Sequence, residues 1–277
     1  MKKQLINKIW MKEITSIQNT FIKQLVKLQD KSRERKKTGL FVVEGLREIA
    51  LAASSNYHIE HILFLPDLIS HTELTEILPH PDEIDFIAIS ENIYKKIAYR
   101  DGTEGVVAII QSKDHSLSML NITTKNPLFL IAEAPEKPGN IGAILRTADA
   151  ANVDAVIIAN PRTDIYNSNS IRSSVGGVFT NTIVEGNTSE IIDFLKENNI
   201  NTYAAALTED AVCYSKQDFT KPTAIVVGTE ATGLSDEWLQ NVDKTIIIPM
   251  LGSIDSMNVS VAAGILIFEA VRQRMGK

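Results

Sequence analysis

The sequence predicts an α/β protein of two domains, on three observations. Short apolar runs alternate with amphipathic stretches through both halves of the chain. The runs of the second half are apolar almost throughout, as in a parallel sheet covered on both faces. Between the halves, Gln111 to Asn126 reads QSKDHSLSMLNITTKN with Pro127 after it, a polar interruption that marks a domain boundary. The expected division is an N-terminal domain over 1–115 and a C-terminal domain over 126–277.

The elements follow in order. Phe21, Ile22, Leu25, Val26 and Leu28 fall at helical spacing and predict a helix ending near Thr38-Gly39. That helix carries KQLVKLQDKSRERKK, Lys23 to Lys37, with seven basic residues against two acidic. The run reads either as the solvated face of an amphipathic helix or as a local nucleic-acid footprint. FVVEG, from Phe41 to Gly45, is a short strand turning into a helix, and further strands are expected over 61–65, 84–89 and 105–110. In the second half strands are expected over 128–132, 155–159, 182–184, 202–206, 224–227 and 245–248, with helices over 141–151, 165–174, 189–198 and 235–241. A last hydrophobic helix over 259–271 suits a core or an interface equally well.

Composition removes several function classes. Of 277 residues 44% are hydrophobic, which describes a globular chain. No apolar run is long enough to cross a membrane, and the start MKKQLINKIW lacks the apolar core and cleavage site of a signal peptide, so a cytoplasmic address is expected. The single cysteine, Cys213, excludes an intramolecular disulfide framework. All five histidines precede residue 116, and the close pair His58 and His61 has no acidic third ligand nearby, so no metal is expected. A net charge of -6 argues against a general polyanion binder.

In parallel sheets ligands sit beyond the C-terminal ends of strands, and three expected strand-end loops hold unusual polar residues. The first, APEKPGNIGAILRTADA, brings Pro138, Gly139 and Asn140 to a helix start and places Arg146 in an otherwise small and apolar helix. The second, VVGTEATGLS, has the outline of a dinucleotide fingerprint, but Glu230 stands where a second glycine would cradle a pyrophosphate. A ligand without phosphates, or with positive charge, fits better. The third, GSIDSMNVSVAAG, puts Ser256 and Asn258 at the start of the last helix, more polar groups than one cap requires. A fourth segment, NSIRSSVGGVF, offers Arg172 and Ser174, but it lacks the first glycine of a nucleophile elbow and the C-terminal half holds no histidine, so a serine hydrolase is not expected.

Together these segments resemble the SpoU/TrmH family of RNA ribose 2'-O-methyltransferases, in the SPOUT superfamily, over about 128–274. Asn140, Gly142 and Arg146 match its NxGxxxR pattern; Gly228, Glu230, Gly233 and Leu234 match GxExxGL; Pro249, Gly252 and SMNVSVA match the third motif, with Met257 in place of leucine. FVVEG and YRDGTEGVVAII are similar to the ribosomal-protein-like substrate-binding domain of many such enzymes, with Thr103-Glu104-Gly105 where TPQG is usual. The resemblance implies a deep trefoil knot in the parallel-sheet domain, homodimerisation through that domain, and S-adenosylmethionine contacted by Leu207, Gly228, Ile248 and Met257. It implies catalytic roles for Arg146, Asn140, Glu230, Ser256 and Asn258, and RNA contacts for Arg172 and Ser174, with Arg33, Arg35, Lys36 and Lys37 of the basic run. The implied substrate is RNA, 23S ribosomal RNA first; a transfer RNA substrate, or a non-catalytic assembly factor of the same fold, is the alternative.

Overall fold

The computed structural model describes residues 12–98, 104–229 and 231–275. The chain forms two compact units, Met1–Ser112 and Lys113–Lys277.

The first unit contains β1 (Lys12–Ile14), α1 (Thr20–Asp30), α2 (Ser32–Thr38), β2 (Leu40–Glu44), α3 (Leu46–Ser54), β3 (Ile59–Phe64), α4 (His71–Ile77), β4 (Asp85–Ile89), α5 (Glu91–Ile97) and β5 (Val106–Gln111). Its sheet has the order β1-β4-β3-β5-β2 and is mixed: β1, β4 and β3 run parallel, and β5 is antiparallel to both β3 and β2. Ile22, Leu25 and Leu28 of α1 are buried in a core shared with Val42, Leu63 and Ile87, which leaves Lys23 and Lys27 on the outer face.

The single basic helix expected from periodicity is two helices. Lys31 adopts an extended conformation, with φ -121° and ψ 110°, and ends α1 before α2 begins. Arg35 explains how the break is tolerated. Its Nη1 donates to the carbonyls of Leu28 at 2.6 Å and Gln29 at 2.9 Å, groups that the last turn of α1 leaves unpaired. The side chain is 5% exposed. Arg35 is therefore a buried staple between two helices rather than part of an RNA-facing surface, whereas Arg33, Lys36 and Lys37 are exposed.

The second unit contains β6 (Leu128–Glu133), α6 (Pro138–Ala151), β7 (Ala155–Ala159), α7 (Ser168–Ser174), α8 (Gly177–Thr180), β8 (Ile183–Gly186), α9 (Thr188–Glu197), β9 (Asn201–Ala205), β10 (Val212–Cys213), β11 (Thr223–Val227), α10 (Asp236–Asn241), β12 (Lys244–Ile247) and α11 (Val259–Met275). Its seven strands are all parallel, in the order β10-β12-β9-β11-β6-β7-β8. Every residue of β6, β7 and β11 is buried, as their apolar composition demands of strands covered on both faces. The helix expected from residue 165 begins later, because Asp164 accepts from the Tyr166 N–H at 2.8 Å and Asn167 then caps α7 through the Asn169 N–H.

The polar stretch after Ser112 is packed on the second unit. His115 reaches the Ile183 carbonyl through Nδ1 at 2.8 Å and the Tyr166 hydroxyl through Nε2 at 2.7 Å. Leu117, Leu120 and Ile122 lie against the core of that unit. Burial holds the His115 imidazole below its usual range, partly offset by the bond to Ile183. Among the described residues no helix is long and apolar enough to cross a membrane.

Candidate active site at the strand ends

Strands β12, β9, β11 and β6 are neighbours whose C-terminal ends lie nearly level: Val227 pairs with Ala205 and with Ala132, and Ile246 pairs with Ala205. The loops that follow these strands therefore emerge side by side. A cleft opens there, lined by Glu133 at the end of β6, Glu136 and Lys137 from the first loop with Asn140 at the start of α6, Gly228 and Thr229 from the second, and Val259 from the start of α11.

Asn140 and Asn258 join the first loop to the third. The Asn258 Nδ2 donates to Asn140 Oδ1 at 3.2 Å. The other side-chain atom of Asn258, Oδ1, accepts from the Ser260 N–H at 2.9 Å and from the Ser260 hydroxyl at 2.5 Å. One amide thus caps α11 and reaches across the cleft wall. Ser256 is exposed, and its hydroxyl donates to Asp255 at 3.2 Å.

Arg146 stands on the exposed face of α6, two turns past the helix start, and makes no hydrogen bond or ion pair among the described residues. An exposed guanidinium with a planar fork of donors is free to take an external phosphate or hydroxyl. Gly142, between Asn140 and Arg146, serves packing. A Cβ there would collide with the Ser173 side chain and the Ser170 carbonyl of α7, so the glycine sets how closely α6 and α7 approach.

The second loop is closed on itself. Thr229 and Gly233 exchange two backbone hydrogen bonds, of 3.0 and 3.1 Å, and Gly233 takes φ +68°. Gly228 lies so near Gly233 that a Cβ would meet its backbone. Glu230 lies outside the described residues. Leu207 follows β9 and is 64% exposed, while Ile248 and Met257 are half-buried beyond β12 and before α11. With Gly228 they occupy loops after three adjacent strands.

The fourth segment divides. Arg172 is half-buried with Nη2 donating to Asn169 at 2.6 Å. Ser174 is 1% exposed; its hydroxyl donates to the Ile171 carbonyl at 2.7 Å and accepts from the Val178 N–H at 3.2 Å. It holds the α7–α8 turn together, so a direct RNA contact by Ser174 is corrected to a structural role.

Sequence reasoning overlooked Glu133. It ends β6, is 5% exposed, and lines the cleft while accepting from Ser235 and Thr188. The signal for it was a carboxylate closing an otherwise apolar strand, LFLIAE.

A mixed-sheet module followed by an all-parallel α/β domain, with a cleft at the strand ends beside the Asn140–Asn258 bond, defines a two-domain α/β protein with a candidate ligand site on its second domain. The SpoU rRNA Methylase family model matches residues 127–268, and an MRM3-like substrate binding domain matches residues 19–108. The chain belongs to the SpoU rRNA methylase family. It is 30% identical over 258 residues to the 23S rRNA (guanosine(2553)-2'-O)-methyltransferase RlmP of Bacillus subtilis, covering 93% of this chain and 98% of that protein. A tRNA (guanosine(18)-2'-O)-methyltransferase of Thermus thermophilus is 42% identical, but over 53% of this chain and 76% of its own length. The AdoMet-bound rRNA methyltransferase structure from Sinorhizobium meliloti is similar over 95% of this chain and 98% of that one, with a TM-score of 0.85 at 27% identity.

Proposed function

We propose that the protein transfers a methyl group from S-adenosylmethionine to a ribose 2'-hydroxyl of 23S ribosomal RNA. The observation that carries the reading is the hydrogen bond from Asn258 to Asn140, which assembles two separate motifs of the family on one cleft. Ribosomal rather than transfer RNA is favoured because the similarity to a 23S rRNA enzyme runs through both units, whereas that to the tRNA enzyme covers about half the chain.

The residues fit the cofactor. The cleft wall carries the Glu133 carboxylate, which has no basic partner among the described residues, while Glu136 is ion-paired with Arg162; this suits a sulfonium cation better than a polyphosphate. Gly228, Ile248 and Met257 would hold it through backbone groups, with Leu207 closing its apolar side. When bound, S-adenosylmethionine supplies an electrophilic methyl group. The protein's part is to place the ribose oxygen in line with that methyl. Arg146 orients the RNA and the 2'-oxygen; its guanidinium is a poor base, so its role is positional and electrostatic. Asn140, Ser256, Asn258 and Glu230 hold the ribose and Arg146 in place, and Arg172 contacts the substrate. Arg33, Lys36 and Lys37 give the N-terminal unit its RNA-facing charge.

The finer architecture follows the same reading: the parallel-sheet domain is knotted in its last loops, and two copies pair through it. The exposed face of α11 supports pairing, since Val261, Phe268 and Met275 recur every seven residues with 53%, 46% and 81% exposure. The enzyme works in the cytoplasm, where ribosomal RNA is made.

The test is methyl transfer from radiolabelled S-adenosylmethionine to 23S rRNA, with ribose methylation mapped by its resistance to alkaline cleavage. Arg146→Ala should lower the rate at least a hundredfold, the scale of removing one donor to the transition state. A folded Arg146→Ala protein with near wild-type transfer, or methylation found on a base, overturns the assignment.

A further inference from the structure

Glu133 is a buried carboxylate with no basic partner among the described residues. Its Oε2 accepts from the Ser235 N–H at 2.8 Å, and its Oε1 accepts from the Ser235 hydroxyl at 2.7 Å and from Thr188 at 3.4 Å. Thr188, itself 2% exposed, accepts in turn from the Asn160 amide at 2.9 Å. Three neutral donors satisfy the carboxylate but do not offset the cost of taking a charge out of water as a cation would. An apolar residue at the end of β6 would leave the Ser235 N–H and hydroxyl without that acceptor, so what the carboxylate adds is a hold on Ser235, and such a hold calls for a use.

Its position supplies one. In the 228–235 loop the described residues on either side of Glu230 are drawn together: Gly228 presses on Gly233, and Thr229 and Gly233 are doubly bonded. One end continues from β11. The other end, at Leu234 and Ser235, is held at the neighbouring strand β6: Leu234 is buried in the core that includes Phe129 and Ile131, and Ser235 gives both its N–H and its hydroxyl to Glu133, its side chain making no cap bond to the helix it precedes. Glu133 and Gly228 both line the cleft. We propose that Glu133 is a positioning residue, a latch that holds the 228–235 loop against β6 in the arrangement that receives the cofactor. The inference rests on the methyltransferase reading, because the loop is expected to contact S-adenosylmethionine through Gly228.

Glutamine keeps the size of Glu133 but turns one acceptor into a donor, which must face the Ser235 or Thr188 donors. Ser235→Ala removes the hydroxyl bond and keeps the N–H bond. Calorimetric titration of the full chain with S-adenosylmethionine, well below each protein's melting temperature, reads the effect. Glu133→Gln should weaken binding about tenfold or more, the scale of removing a hydrogen bond to a buried carboxylate. Ser235→Ala should weaken it by about threefold, and the double variant should be no worse than Glu133→Gln, because both act on one interaction. A purely structural role would lower the melting temperature and leave the dissociation constant unchanged; that result overturns the latch. If Glu133→Gln does not fold, unchanged affinity in Ser235→Ala overturns it equally. Wild-type protein that does not bind S-adenosylmethionine removes the methyltransferase reading itself, whereas wild-type binding with unaffected variants removes the latch only.

Discussion

Replacing Arg274 by alanine tests how much the far end of α11 contributes to holding the second unit together. The Arg274 guanidinium donates to four backbone carbonyls: Phe219 at 2.8 Å, Lys221 at 2.8 Å, Asn126 at 2.6 Å and Pro127 at 3.3 Å. These groups lie just before β11 and β6, at the N-terminal ends of the strands, opposite the cleft. The bonds to Asn126 and Lys221 are solvent-exposed, so those carbonyls can turn to water; the ones to Phe219 and Pro127 are partly buried. A partly buried bond from a charged donor contributes about 1.5–3 kcal/mol, and the long bond to Pro127 less, so the expected loss is about 2–4 kcal/mol. In a folding unit of this length each kcal/mol moves the midpoint by roughly 2–4 °C, giving a fall of roughly 4–16 °C. Thermal unfolding followed by circular dichroism measures it. Arg274→Lys keeps a single point donor in place of a fork and should recover less than half of the loss. An Arg274→Ala midpoint within about 1 °C of wild type would show that the four bonds contribute nothing net, and the clamp would be abandoned.

Asn258→Ala removes a helix cap, costing about 1 kcal/mol, and also the bond to Asn140; methyl transfer should fall by much more than the stability change explains, and equal effects on both would count against an active-site role. Lys36→Ala and Lys37→Ala should weaken RNA binding and flatten its salt dependence, by about 0.7 in the log–log slope for each phosphate of single-stranded RNA that is no longer neutralised. Arg35→Ala, in contrast, should lower the melting temperature without changing that slope, and a changed slope would restore Arg35 to the RNA surface. For His115 the folded-state pKa is depressed by burial, so its contribution to stability is present above the unfolded value near 6.5 and is lost as the pH falls toward the folded one. Denaturant midpoints of wild type and His115→Gln should therefore converge between about pH 7.5 and pH 5.5; a gap independent of pH would contradict the buried neutral imidazole.

The apolar strands were readable because burial on both faces leaves a run of valine, isoleucine and alanine that no exposed element shares, as in TAIVV of β11 and AVIIA of β7. What escaped were features set by interactions distant in sequence. The break at Lys31 depends on a staple from Arg35, and periodicity carries straight through it. The strand β10 has two residues, too few for any alternation to appear. Ser174 was expected at the RNA from the family resemblance, yet its hydroxyl is spent on the turn into α8. The motif residues were readable as a set, but the pairing of Asn140 with Asn258 joins positions 118 residues apart and required the fold.

That pairing bears on why the last helix begins with so many polar groups. A cap needs only the side-chain oxygen of Asn258, and serine, threonine or aspartate could supply it as well. A hydroxyl donates and accepts through one oxygen, whereas the amide sets the acceptor for the Ser260 N–H and the donor to the Asn140 oxygen on two separate atoms that reach in different directions. Asn258→Asp would keep the cap and set a carboxylate against the Asn140 oxygen, acceptor to acceptor. The consequence is a variant with a near-native melting temperature in which the present bond from Asn258 to Asn140 is gone, while α6 and α11 remain packed. Loss of methyl transfer in that protein would separate the two duties of Asn258, whereas full activity would mean that the cap is all it provides.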